Sequence, residues 1–141
     1  MKKILATSII LLLAACKPAA DSSRKPLYEV LTQQEQGGAQ VRFFEILTEE
    51  KEIAMLLSDE HLKHKIKPAD IHTANFIILN LGEQSSGGHS IAVEKVEERP
   101  DKIIVTIREQ SPGQGQMASS VMSYPYTIVK INSKKAIEIR D

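Results

Sequence analysis

Hydrophobic and polar residues alternate along most of the second half of the chain, which is the pattern of β-strands. Residues 75–81 are apolar at both odd and even positions, so we predict a central strand that is covered on both faces. A long polar loop with Pro112 and two nearby glycines occupies 111–123. We interpret 132–135 as a hairpin turn. Further strands are predicted at 89–96, 103–107, 126–131 and 136–139.

A helical pattern interrupts the strands in the first half of the chain. Apolar residues at 41–47 predict a strand, and a weaker one is predicted at 26–31. Thr48 is a suitable N-cap, the acidic residues after it favour a helix start, and Pro68 follows the segment. We therefore predict one amphipathic helix at about 49–64. The fold class expected from these elements is α+β, a small domain with an antiparallel sheet and this helix packed on it.

The first 25 residues have the composition of an export signal followed by a tether. A short positive start precedes an apolar run at 4–13, which is too short to cross a bilayer as a helix. Leu13-Ala14-Ala15-Cys16 resembles the lipobox of bacterial lipoproteins, which implies cleavage before Cys16 and lipid on its thiol. The alternative is a secretory signal with a chance cysteine. We expect a signal peptide at 1–15, a lipidated tether at 16–25 and a domain at 26–141.

The charge balance and the cysteine count narrow the function classes. The chain has 18 basic and 18 acidic residues, and Lys2 and Lys3 lie in the predicted signal. The remainder is slightly acidic, which argues against nucleic-acid binding. One cysteine cannot form an intramolecular disulfide. Lys17 after the cysteine, where aspartate favours inner-membrane retention, leads us to expect the outer membrane of a Gram-negative envelope.

Two histidine arrangements suggest chemistry, and both have a simpler interpretation. His61 and His64 lie three residues apart, as two metal ligands on a helix do, but no third ligand is evident. We interpret them as a solvated basic helix end and expect no metal or cofactor. His89 next to Ser90 suggests a hydrolase, but neighbours on a strand point to opposite faces, so His89 cannot readily activate Ser90. We expect no enzymatic activity.

Two short motifs remain as candidates for contact with a partner. Gly87-Gly88 either allows close approach or binds an anion, or it forms a turn that needs positive φ, which we prefer. Tyr124-Pro125-Tyr126 is either an exposed contact patch or a pair in which one tyrosine caps the core. Met117, Val121 and Met122 add adaptable apolar side chains to the preceding loop.

Three ordered segments resemble the C-terminal domain of the PrcB family, named for a lipoprotein subunit of a bacterial surface protease complex. They are Gly87-Gly88-His89-Ser90-Ile91, the strand at 103–107 with the loop after it, and the run from Tyr124-Pro125-Tyr126 to Ile131. The resemblance covers about 76–139. Family members usually carry an aromatic residue where this chain has His89.

The resemblance implies a membrane-anchored, non-enzymatic lipoprotein that binds and stabilises a subtilisin-like protease. The expected contact residues are Gly87, Gly88, His89, Ser90, Tyr124, Pro125 and Tyr126. Strand addition at a sheet edge is the expected mode of contact. The alternative function is a protease inhibitor that presents one of these loops to an active-site cleft.

Overall fold

The computed structural model describes residues 24–141, so the predicted signal peptide, Cys16 and most of the tether lie outside the described residues. Within this range the chain forms seven strands and two short helices. In chain order the elements are β1 (Tyr28–Gln34), β2 (Phe43–Leu47), α1 (Glu50–Leu56), α2 (Asp70–Thr73), β3 (Asn75–Asn80), β4 (Ser90–Glu98), β5 (Lys102–Gln110), β6 (Tyr126–Ile131) and β7 (Ala136–Arg140).

The strands form two sheets that pack face to face. One sheet has four strands in the order β1-β6-β3-β2, and every neighbouring pair is antiparallel. The other has three strands in the order β4-β5-β7, in which β5 and β7 run parallel. A single apolar cluster fills the space between them with side chains from both sheets. Its buried members are Ile77, Leu79, Leu81, Ile91, Ile103, Val105, Ile107, Val129 and Ile131.

The predicted α+β class, with a helix packed on one antiparallel sheet, is therefore wrong, because the described chain is mostly β and its strands form two sheets. The predicted hairpin at 132–135 is also wrong. This connection carries the chain from β6 in one sheet to β7 in the other, where β7 pairs in parallel with β5. Alternation along a strand shows which residues face a core, but it does not show which strand lies beside it.

The helix predicted at 49–64 is shorter than expected, because α1 ends at Leu56. Its N-cap is Glu49 rather than Thr48, and Glu49 forms a reciprocal capping box with Glu52. Just beyond the helix, Ser58 Oγ donates to Met55 O and Asp59 Oδ1 accepts from the His61 amide. Such local side-chain bonds compete with the helical hydrogen-bond pattern, and the chain continues as turns.

The strand β3 is covered on both faces, as its continuous apolar run predicts. Ile77 and Leu79 point into the cluster between the sheets, and Phe76 points to the other face of the four-stranded sheet. There Phe76 packs against Ile53 of α1 and other side chains of the segment between β2 and β3. The buried members of this second cluster are Leu31, Leu47, Ile53, Leu62, Ile66, Ala74, Phe76 and Ile128.

A buried ion pair fastens α2 to the same face of the sheet. The Nζ atom of Lys130 on β6 lies 3.3 Å from Asp70 Oδ2 and 3.0 Å from Glu29 Oε2. Asp70 also accepts a hydrogen bond from the Lys67 amide, so its carboxylate stabilises the turn before α2. Burial lowers the pKa of Lys130, but the ion pairs with Glu29 and Asp70 outweigh this and leave the pKa raised above its ordinary value.

Candidate binding surface

Three loops meet at one end of the two packed sheets, and we call them together the loop surface: residues 35–42, 81–89 and 111–125. Backbone hydrogen bonds join them. The Gly38 amide donates to Tyr124 O at 2.9 Å, and the Gly87 amide donates to Ser119 O at 2.9 Å. Gln84 and Ser123 form an isolated two-residue bridge. Residues 87–89 and 124–125 of the two predicted contact motifs therefore lie in one connected surface, whereas Ser90 and Tyr126 begin the adjoining strands β4 and β6.

The Gly87-Gly88 turn is closely packed. Gly88 has a φ of +80°, which favours glycine, and a Cβ atom added there would lie 2.9 Å from Pro112 Cγ. The Gly88 amide donates to Glu35 Oε1, a carboxylate of the β1–β2 loop. This internal carboxylate occupies the place where a nest would hold an external anion, so the geometry favours the turn interpretation for Gly88.

His89 and Ser90 do not interact through their side chains. Ser90 Oγ donates to Gln110 Oε1 at 3.3 Å, whereas His89 Nε2 lies 3.1 Å from Ser86 Oγ. Among residues 24–141, no carboxylate forms a hydrogen bond with the His89 ring to orient it as a base. Ser86 Oγ also donates to Gly87 O. Because the same hydroxyl contacts both Gly87 and His89, it stabilises the turn at 86–89.

A shallow cleft of about 280 Å³ opens beside this turn. It combines the end of β1 with the start of β4, so it draws on residues that are far apart in the sequence. Its walls combine polar groups with apolar surface, so it offers both hydrogen bonding and apolar contact to a peptide or side chain. The lining residues are Gln33, Gln34, Glu35, Gly88, His89 and Ser90.

The two tyrosines of Tyr124-Pro125-Tyr126 have different environments. Tyr124 is half-buried and belongs to neither core cluster, and its hydroxyl donates to Glu83 Oε2 at 2.9 Å. This hydrogen bond raises the pKa of the Tyr124 phenol above its ordinary value, because the bonded form is the protonated one. Tyr126 packs against the second core cluster. Pro125 is buried, and its carbonyl accepts from the Leu81 amide. Tyr124 is thus the better candidate for contact with a partner.

The loop 111–125 exposes apolar side chains although its backbone is fastened. Met117 is fully exposed, Val121 is 65% exposed and Met122 is 45% exposed. The same loop is held by Ser123 Oγ, which donates to Ser86 O at 2.6 Å, and by Gln36 Nε2, which donates to Met122 O at 3.0 Å. An apolar group held at the surface in this way can contact a partner with little loss of backbone freedom.

The remaining candidates for chemistry lie apart from the loop surface. His61 and His64 are exposed and follow α1. The described part of the chain has no cluster of three or more histidine, cysteine, aspartate or glutamate side chains that could hold a metal ion. Within residues 24–141, no helix has the length and apolar character needed to cross a membrane.

Several residues of the loop surface were not predicted from the sequence. Glu35, Glu83 and Ser86 each hold one of the predicted contact residues in place. Glu35 lies in the Gln- and Gly-rich loop between β1 and β2. Its contact with Gly88 spans 53 positions of sequence, and no local pattern indicates such a pairing.

Comparison with protein families identifies the segment that contains most of this surface. Residues 75–132 match the family model described as PrcB C-terminal, which confirms the resemblance noted in the sequence. The match covers β3 to β6 and all seven predicted contact residues, but less than half of the chain. It indicates a subunit associated with a protease complex. No curated protein and no solved structure matches the chain.

Proposed function

We propose, from the premise that residues 75–132 are PrcB-like, that this chain is a lipid-anchored, non-enzymatic subunit that binds and stabilises an exported protease. The matched segment supplies two of the three loops of the loop surface, 81–89 and 111–125. The third, 35–42, comes from outside the match and holds Gly88 and Tyr124 in place. The proposed contact therefore depends on the whole domain.

The observation that carries the proposal is the exposure of Met117, Val121 and Met122 on a fastened loop. None of them belongs to either core cluster, so these side chains do not contribute to the packed core of the described domain. Methionine adapts to irregular partner surfaces, and Tyr124 beside them offers an aromatic ring with a hydroxyl. The same loop suits the alternative role of inhibitor, because a fully exposed Met117 could enter an active-site cleft.

The membrane anchor is the second part of the proposal and rests on Cys16 and the sequence before it. We infer diacylation of Cys16 and attachment to the outer membrane of a Gram-negative envelope. In cells fed labelled palmitate, the chain should incorporate the label, and Cys16→Ser should abolish incorporation and release the chain from the membrane fraction. Labelling that persists in Cys16→Ser would refute this anchor.

The partner is tested with full-length lipoprotein in intact cells. A tagged chain is crosslinked, solubilised in mild detergent and purified, and the captured proteins are compared with those of the triple variant Met117→Ser, Val121→Ser, Met122→Ser. We expect an exported protease that the variant recovers poorly at equal protein level. The control is Val30→Ser, which changes an exposed apolar residue on β1, away from the loop surface.

An activity assay on the captured pair separates the two roles. A stabilising subunit should lengthen the lifetime of the protease without lowering its turnover, whereas an inhibitor should lower turnover in proportion to occupancy. Equal recovery of the partner by the triple variant and by the unaltered chain would remove the loop surface from the proposal.

A further inference from the structure

Four strands form the edges of the two sheets, and three of them carry features that discourage pairing with another chain. The edge strand β1 has a β-bulge between Val30 and Thr32, and Lys65 Nζ already donates to Leu31 O at 2.5 Å. The edge strand β4 has a bulge between Val93 and Lys95. The edge strand β7 carries two charged residues, Glu138 and Arg140, which pair with each other. Bulges and charges of this kind protect sheet edges from strand addition.

The fourth edge, β2, lacks these features. It pairs with β3 in unbroken register from Phe43 to Leu47, and within residues 24–141 it has no second strand neighbour. Glu45 is its only charged residue. Phe43 is 38% exposed and Val41, just before the strand, is 72% exposed. An unprotected apolar edge of this kind is a template for an added strand.

A groove runs beside this edge because α1 is short. The helix covers Phe76 and Leu47 but leaves Ile78 half-buried. The resulting space of about 160 Å³, which we call the β2 groove, has mainly apolar walls. Met55, at its rim, is 73% exposed. The lining residues are Glu45, Leu47, Glu52, Met55, Leu56 and Ile78.

The charges of the β2 groove have one sign. Glu45 and Glu52 line it, and none of its lining residues among 24–141 is basic. Within the described part of the chain, neither carboxylate takes part in a salt bridge, whereas Glu52 accepts hydrogen bonds from the amides of Thr48 and Glu49. A ligand that combines apolar side chains with lysine or arginine would complement both the walls and the charge.

The other face of β2 is already occupied. The Arg42 guanidinium lies 4.5 Å from the centroid of the Phe44 ring, and it forms salt bridges to Glu109 at 2.7 Å and to Asp141 at 3.1 Å. Side chains of an added strand that point to this face would meet a covered, charged surface. Those that point to the opposite face would meet the open β2 groove.

We propose that β2 binds an extended segment of a partner protein by strand addition, and that this segment carries apolar residues at alternate positions together with a lysine or arginine. Main-chain hydrogen bonds to β2 provide affinity, and the β2 groove selects the side chains that face α1. The basic residue pairs with Glu45. This site adjoins the loop surface at residues 41–42, which come directly before β2, but it does not use the loops 81–89 and 111–125.

The test is binding of a labelled synthetic peptide to the full-length chain in detergent, followed by fluorescence anisotropy. The probe is a short peptide in which valine alternates with threonine and lysine. Two control peptides carry proline at the central position or glutamate in place of lysine. Proline removes a main-chain donor, and glutamate repels Glu45.

The protein variants are Glu45→Lys and Met55→Ser, both at exposed positions that leave the core clusters intact. Val30→Glu on the β1 edge and Met117→Ser on the loop surface are the matched controls. We expect each groove variant, and each control peptide, to weaken binding by roughly tenfold or more, and the two control variants to change it little. High salt should reduce the effect of Glu45→Lys.

Three results would overturn the proposal: no binding of the probe, equal binding of the proline peptide, or equal binding by the groove variants. A loss of binding in Met117→Ser alone would instead assign the peptide to the loop surface. If the peptide fails to bind β2 while the triple loop variant still loses its partner in cells, the proposed function stands without this second site.

Discussion

The two faces of the four-stranded sheet are built from the same strands but are covered in different ways. On one face, the three-stranded sheet seals an apolar cluster, with Ile77 and Val129 fully buried. On the other face, the segment between β2 and β3 covers only part of the sheet, and its Asp70 forms a buried ion pair with Lys130 of β6. Full cover provides stability, whereas incomplete cover leaves the β2 groove open for binding.

The substitution Lys130→Met should have the largest effect on the face of the four-stranded sheet that is covered by the segment between β2 and β3. It leaves the Asp70 carboxylate buried without its lysine, which should lower the free energy of unfolding by roughly 3–5 kcal/mol. Lys63→Met removes an exposed pair with Glu60 and should cost at most about 1 kcal/mol. Urea unfolding of both variants checks this. Equal losses would mean that the Asp70–Lys130 pair does not fasten α2.

The same pair predicts a dependence on alkaline pH. The pKa of Lys130 is raised in the folded protein, so its contribution to stability is complete below the ordinary lysine pKa. That contribution should be lost as the pH rises through the higher folded-state pKa. Unfolding measured from neutral to strongly alkaline pH should show a loss in the unaltered chain that is reduced in Lys130→Met.

Ile77 and Ile78 compare the two faces with one residue type on one strand. Ile77 is fully buried between the sheets, whereas Ile78 is half-buried beside the β2 groove. Ile77→Ala should lower the free energy of unfolding by roughly 2–5 kcal/mol. Ile78→Ala should lower it by about half as much or less, because the half-buried Ile78 side chain buries less apolar area and its loss leaves a smaller cavity. Urea unfolding of the two variants measures the difference. A larger loss in Ile78→Ala would contradict the account of the two faces.

Gly88→Ala tests whether the Gly87-Gly88 turn of the loop surface is as closely packed as the apolar cluster between the two sheets. The positive φ alone should cost roughly 1–2 kcal/mol, and the approach to Pro112 adds to it. The matched control is Gly113→Ala, where the nearest atoms belong to the flexible Gln116 side chain. Thermal unfolding of both variants decides. Equal stability would show that the turn adapts freely.

The smallest expected effect concerns the hydrogen bond between Tyr124 and Glu83. Glu83→Gln removes the carboxylate that raises the pKa of Tyr124, so that phenol should ionise at a lower pH than in the unaltered chain. Ultraviolet absorbance during alkaline titration reports tyrosine ionisation. An unchanged titration curve would mean that Glu83 does not hold Tyr124 in solution.

The sequence predicted the strands better than their arrangement. The continuous apolar run of 75–81 correctly predicted a strand covered on both faces, and the predicted strand at 126–131 has the observed bounds of β6. The split into two sheets was missed, because the parallel pairing of β5 with β7 depends on contacts between distant segments. The predicted helix was too long, because local hydrogen bonds of Ser58 and Asp59 compete with the helical pattern after Leu56.

The candidate site was predicted in part. Most residues of the motifs at 87–90 and 124–126 do lie in one surface, but Tyr126 packs against a core cluster whereas Tyr124 does not, which their spacing did not indicate. The partners that hold the site, such as Glu35, come from a loop far away in the sequence. The open β2 edge has no sequence signal of its own, because it arises from the sheet order and the early end of α1.

The most direct test of partner binding is site-specific photo-crosslinking in living cells. A photoreactive amino acid replaces Met117 on the loop surface or, as a control, Val30 on the β1 edge of the full-length chain. We expect an exported protease to be crosslinked from position 117 and not from position 30. Crosslinking of the same proteins from both positions, or of none from position 117, would contradict the claim that the loop surface binds this partner.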